Sequence, residues 1–173
     1  MRLLLLRHGK AGWTDGIDDI DRPLARRGRA AAQRMGTYLA EEQLVPDLAL
    51  VSPARRTEET WALVRPALAG VPARSEPRIY EAPAERLMRV VAGVEPAVRT
   101  LLLVGHNPGL EEFLRMLIPP EERYAQARLR TKFPTAGLAV VDVKSSSWDE
   151  IARGAGSLQR FVTPRSLGWG EDE

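Results

Sequence analysis

Arg2-Leu3-Leu4-Leu5-Leu6-Arg7-His8-Gly9 is the stretch on which the reading of this chain turns. Four consecutive leucines held between arginines are too few for a signal-peptide core or a membrane span. They fit a strand buried on both faces of a parallel sheet, where the alternation of a half-exposed strand is absent. Asp47-Leu48-Ala49-Leu50-Val51 and Thr100-Leu101-Leu102-Leu103-Val104 repeat that pattern. Between these runs, Ala31, Met35, Tyr38 and Leu39, and then Leu110, Phe113, Leu114 and Leu117, recur at helical spacing. Buried strands alternating with amphipathic helices predict a layered α/β fold.

Toward the C-terminus the pattern changes. Residues 138–143 form a further strand candidate, and residues 158–162 alternate apolar and polar side chains, which predicts an antiparallel hairpin or edge. The expected architecture is a three-layer α/β/α sandwich around a mostly parallel sheet with an antiparallel C-terminal edge. It is expected to form a single domain over residues 1–173, with residues 168–173 as a flexible tail. Residues 12–23 carry Asp15, Asp18, Asp19 and Asp21 with no helical or strand period and read as a long loop.

Bulk properties narrow the function classes. The chain has 173 residues, 44% of them hydrophobic, enough to fill one core. Its 25 Lys plus Arg against 23 Asp plus Glu leave a net charge of +2, too little for a general nucleic-acid footprint. Almost all the bases are Arg, which grips phosphate oxygens with a planar fork. The absence of Cys removes any disulfide framework or thiolate metal site, and with two His in the chain a cytoplasmic location without cofactor or metal is expected.

In open parallel sheets the ligand crevice lies beyond the carboxyl ends of the strands. The first buried run ends in Arg7-His8-Gly9, the second in Ser52-Pro53-Ala54-Arg55-Arg56-Thr57, the third in Gly105-His106-Asn107-Pro108-Gly109. Both His therefore fall at strand ends on one edge of the sheet. A His flanked by Arg suits nucleophilic attack on phosphorus, because neighbouring positive charge disfavours the imidazolium and leaves a nitrogen lone pair free; the following Gly lets backbone approach a ligand. Phosphoryl transfer asks a protein mainly for in-line positioning and charge neutralisation.

Those three motifs, in order and each after a buried run, resemble the histidine-phosphatase superfamily, also called phosphoglycerate-mutase-like. Asp21-Arg22-Pro23-Leu24, Arg27-Gly28 and the closing Phe161-Val162-Thr163-Pro164-Arg165 are similar to its small branch of phosphohistidine phosphatases. The resemblance implies that His8 is the nucleophile that becomes phosphohistidine, with Arg7, Arg22 and Arg56 as phosphate-binding groups. It makes His106 the second histidine, donating to a phosphate oxygen. It places Glu81, after an expected short strand Arg78-Ile79-Tyr80, where larger members carry a general acid. The implied substrate is a phosphorylated protein bearing phosphohistidine, or alternatively a small phosphate ester.

Other readings have weaker support. A mutase needs an enclosing cover, and no long insertion supplies one. A non-catalytic phosphate-binding or adaptor module would need only Arg and backbone amides, not two His. No nucleic-acid or membrane motif is present. Ser52 lacks the Gly-x-Ser-x-Gly elbow of a serine hydrolase and is expected to cap the helix carrying Arg56 and Thr60. The Asp-rich loop lacks the rhythm of a calcium loop and reads as a polar lip, whose carboxylates could pair with Arg22. Arg55 reads as a solvated helix-start residue. Of the four Trp, only Trp13 lies near the motifs in sequence; the others are expected to pack in the core or at its edge.

Overall fold

The computed structural model describes residues 1–130 and 132–169. Six strands form one sheet: β1 (Arg2–Arg7), β2 (Leu48–Val51), β3 (Ala73–Ser75), β4 (Thr100–Gly105), β5 (Leu138–Val143) and β6 (Gly156–Val162), in the spatial order β3-β2-β4-β1-β5-β6. The first four run parallel, while β5 pairs antiparallel with β1 and β6 antiparallel with β5. The antiparallel edge is thus where alternation in the sequence placed it, beginning at Gly156, two positions before residue 158.

Five helices accompany the sheet among the described residues: α1 (Arg26–Glu41), α2 (Arg55–Val64), α3 (Ala84–Ala92), α4 (Gly109–Leu117) and α5 (Arg123–Leu129). The pleat of β1 explains the layers. Leu3 and Leu5 pack with Leu87, Val90, Phe113 and Leu114 of α3 and α4, whereas Leu4 and Leu6 pack with Met35, Leu39, Trp61 and Val64 of α1 and α2. All four leucines have no solvent exposure. A run apolar at every position is what a strand covered on both faces requires.

One expectation is corrected here. Arg78-Ile79-Tyr80 is not a strand: Pro77–Ile79 is a short 3-10 turn, because Pro77 has no N–H to give a sheet ladder and Glu76 accepts from Arg78 N–H instead. The edge strand lies earlier, at Ala73–Ser75, where every residue is exposed and no apolar pattern marks it. Past residue 167 the backbone remains hydrogen-bonded. Gly168 closes the turn Arg165–Leu167 in a left-handed conformation, and Trp169 N–H donates to Pro164 O at 2.8 Å. The rest of the expected tail, from Gly170 on, lies outside the described residues. No helix among the described residues is long and apolar enough to cross a membrane.

One close backbone approach ties the first motif to α1. A Cβ on Gly28 would sit 2.2 Å from Lys10 O, and one on Gly9 would sit 2.5 Å from Gly28 O. Gly9 is therefore needed for packing against α1, a reason the sequence did not give it. Gly28→Ala is expected to destabilise the protein by about 1–3 kcal/mol, the usual cost of overpacking, read as a lower urea midpoint at unchanged slope.

Candidate active site

Strand register brings the two imidazoles together. β1 and β4 pair with Arg7 opposite Gly105, and the ladder continues one step as His8 N–H donates to Gly105 O at 3.1 Å. The next residues on the two parallel strands, His8 and His106, therefore emerge as neighbours, with ring centroids 5.3 Å apart and planes inclined at 56°. Both line a cleft of about 640 Å³ together with Arg7, Arg22, Arg56 and Glu81. Each of the six residues singled out from the sequence thus borders the same cavity.

His8 is held at both backbone and ring. Its carbonyl accepts from Ala136 N–H at 2.9 Å. Gly9 N–H donates to Thr60 Oγ1, which in turn donates to Arg56 O within α2. The ring nitrogen Nδ1 lies 2.7 Å from Gly9 O. A carbonyl can only accept, so the Nδ1 position carries the proton and the lone pair of the neutral ring resides on Nε2. Burial is the main cause that lowers the His8 pKa to about 3, with His106, Arg56 and Arg7 adding to it against the opposing Gly9 hydrogen bond. Positive charge, the cause proposed from sequence, is secondary to desolvation.

His106 Nε2 lies 2.7 Å from Ser52 Oγ. Ser52 is fully buried, and Thr57 Oγ1 donates to its carbonyl at 2.8 Å. This corrects the capping role expected of Ser52: α2 is preceded by Ala54 and has no side-chain cap. Ser52 still belongs to the sheet edge, its N–H donating to Val104 O, so its hydroxyl turns toward β4 rather than toward the helix. His106 Nδ1 is buried without a hydrogen-bond partner among the described residues. Burial again leads in lowering this pKa, to about 4, with Arg56 and Arg7 reinforcing and Asp19 opposing.

Arg7 and Arg56 are fixed by acceptors distant in sequence, Arg22 by nearer ones. Arg7 donates to Phe133 O at 2.7 Å. Arg56, only 7% exposed, leaves the first turn of α2 and donates to Asp19 O at 2.6 Å and Asp19 Oδ2 at 3.0 Å. Arg22 donates to Gly12 O and Asp19 Oδ1, both at 3.3 Å, and its guanidinium lies 4.9 Å from the centre of the Trp13 ring. Arg55 is paired with Glu59 on the exposed side of α2.

The sequence marked Asp19 only as one of the lip carboxylates able to pair with Arg22, which it does, and gave Tyr80 no part in the site. The Tyr80 hydroxyl donates to Asp19 Oδ2 at 2.7 Å, and the Tyr80 ring meets His106 edge-on at 5.6 Å. That hydroxyl bond is the largest cause lowering the Asp19 pKa to about 2; burial opposes it, and Arg56 and Arg22 assist. Asp19 was one of several loop carboxylates, and its partners lie as far as 61 positions away, so no local pattern distinguished it. Glu81 is exposed at the rim, with φ of 52°. A non-glycine residue there carries strain of order 1 kcal/mol. Among the described residues, no three His, Asp or Glu side chains gather as a metal ion would require. What the cleft offers chemically is a neutral imidazole of fixed tautomer beside three guanidinium groups, a setting for in-line attack on an anionic phosphorus.

Comparison with known proteins points the same way. The model of the family described as "Histidine phosphatase superfamily (branch 1)" matches residues 3–89. An uncharacterized protein of Mycobacterium tuberculosis is 35% identical over 162 residues, spanning 92% of this chain and 100% of that protein. A solved structure of a phosphohistidine phosphatase candidate, SixA, from Agrobacterium tumefaciens superposes with a TM-score of 0.81 at 34% identity, covering 94% of this chain and 97% of that one. The protein histidine phosphatase SixA in complex with tungstate gives a TM-score of 0.80 over 96% of this chain and 99% of that one; at 23% identity this likeness shows the fold alone.

The depressed imidazoles make stability depend on pH. Unfolded, each His titrates near 6.5; folded, near 3 for His8 and 4 for His106. Between those values the unfolded chain binds protons that the folded chain does not, so stability is full above about pH 6.5 and falls as the medium is acidified. Thermal melts from pH 7 down to about pH 4 should show this decline. A His8→Gln, His106→Gln double variant, which has no imidazole left, should show a flatter profile.

Proposed function

The chain belongs to the histidine phosphatase superfamily, and from that premise we propose that it hydrolyses phosphohistidine on proteins through a covalent phosphohistidine intermediate of its own. Nε2 of His8 attacks phosphorus in line, the phosphorus–nitrogen bond of the substrate breaks, and the departing imidazole, protonated on its other ring nitrogen, keeps the electron pair and leaves neutral. Water then attacks the phosphorus on His8, releasing inorganic phosphate and restoring the neutral ring. The observation that carries this reading is the hydrogen bond of His8 Nδ1 to Gly9 O at 2.7 Å, which assigns the lone pair to Nε2 without a separate base.

Arg7, Arg22 and Arg56 neutralise the equatorial oxygens, each already held by a backbone or Asp19 acceptor, so little ordering remains to be done when substrate binds. His106 donates to a phosphoryl oxygen. Burial lowers its pKa, and an arriving dianion offsets Arg56 and Arg7, which add to that lowering. Ser52 sets the ring's orientation through Nε2.

Glu81 at the rim supports a second reading, a small-molecule phosphomonoesterase of the same mechanism. An alkoxide leaving group needs a proton at departure, whereas the imidazole of phosphohistidine leaves from a labile bond and needs one less. Supporting the protein substrate is the similarity to the candidate SixA across almost the whole chain.

His8→Ala is expected to abolish both turnover and the acid-labile phospho-enzyme trapped by rapid quench with labelled substrate. Wild-type turnover in that variant would dispose of the covalent route. Glu81→Gln should leave the rate on a phosphohistidine peptide within about threefold and cut that on an alkyl phosphate by about 10² or more, the range of a general acid. Wild-type protein that turns over the alkyl phosphate faster than the phosphohistidine peptide, and loses that activity in Glu81→Gln, would favour the small ester.

A further inference from the structure

Six large hydrophobic side chains are conspicuously exposed among the described residues: Trp13, Ile17, Ile20, Val45, Tyr124 and Trp169. Three of them fall within residues 13–20, and Trp13 is the most exposed, at 77%. This loop is no slack connection. Ala11 bridges Leu24 at its base, and Gly12 N–H donates to Pro23 O at 2.8 Å. Leu24 N–H donates to Glu59 Oε2, and Asp19 fastens the middle to Arg56 and Tyr80. The same loop forms part of the cleft wall, through Ala11, Asp19 and Arg22. Apolar side chains are thus displayed on a pinned segment that borders the phosphate-binding groups.

We propose that residues 13–20 are a docking element for a protein substrate, with Trp13, Ile17 and Ile20 receiving apolar side chains that flank the phosphorylated histidine. The proposal rests on the phosphohistidine reading above and adds the feature that selects among phosphoproteins. A phosphoryl group carried on a protein can reach His8 only if the substrate's own surface closes over the rim, whereas a small ester sits within the cleft and leaves the rim uncovered. Apolar groups on a rim that a protein must cover gain from the desolvation. Trp13 adds a rigid aromatic anchor, stacked on Arg22 and so placed at the boundary between the phosphate and its surroundings.

The test uses the full chain and two histidine-phosphorylated peptides, one with leucines flanking the phosphohistidine and one with serines. An aryl phosphate serves as the small substrate. Wild type is expected to cleave the leucine peptide with kcat/KM about tenfold above the serine peptide, the effect of one well-placed apolar contact region. The Ile17→Ser, Ile20→Ser variant should lose that preference and keep aryl phosphate turnover within about twofold. In Trp13→Ala, the loss on the leucine peptide should exceed any loss on aryl phosphate.

Equal rates on the two peptides, or a preference that survives the loop variants, would overturn the docking role while leaving phosphohistidine cleavage intact. Cleavage of aryl phosphate with neither peptide turned over would instead remove the phosphohistidine reading and this proposal with it. A wild-type dimer that the Ile17→Ser, Ile20→Ser variant dissociates in sedimentation would assign the patch to a second copy of the chain and overturn the proposal.

Discussion

The pairing of β1 with β4 is the constraint from which the site follows. Adjacent parallel strands lie just under 5 Å apart, and with Arg7 opposite Gly105 the residues that follow must leave the sheet as neighbours. The 5.3 Å between the imidazole centroids is the strand spacing carried one residue beyond the sheet. A slip of one residue would draw Arg2 or Arg7 into the doubly covered stretch that the four leucines fill. The core that fixes the register, Leu3 and Leu5 on one side and Leu4 and Leu6 on the other, therefore also fixes the distance between the two rings.

Burial then sets the chemical state of what register has placed. Both imidazoles sit where desolvation outweighs every other influence on their titration, so both stay neutral, and hydrogen bonds to Gly9 O and Ser52 Oγ hold each ring in place. The guanidinium groups cannot be neutral and are instead tied down. Asp19 is shared by Arg56, Arg22 and Tyr80, which gives the cleft an internal counter-charge and keeps its cations in position. A cleft of this kind has its charges oriented before an anion enters, the condition under which electrostatic stabilisation costs least.

Much of this was legible from the chain itself, for a physical reason that differs by residue. The leucine run and its two counterparts could be assigned because doubly covered strands need unbroken apolar stretches. The C-terminal hairpin could be assigned because a half-exposed strand alternates. The exposed edge strand Ala73–Ser75 buries nothing and so left no pattern. Ser52 looked like a cap because Ser before a helix commonly is one; its contact with His106 depends on β2 and β4 lying side by side, which is not a local property.

Taken alone, the sequence determined that buried strands alternate with helices, and that each motif stands where a strand ends, because hydrophobic periodicity and chain order are local and one-dimensional. Tertiary structure alone decided that Asp19, from a loop with no periodicity, reaches Arg56 and Tyr80. It also decided that Gly9 serves a backbone contact with α1, and that Trp13, Ile17 and Ile20 are exposed on the loop that lends Asp19 and Arg22 to the cleft. These are relations between segments far apart in the chain, and their partners become neighbours only once the two faces of the sheet have been covered.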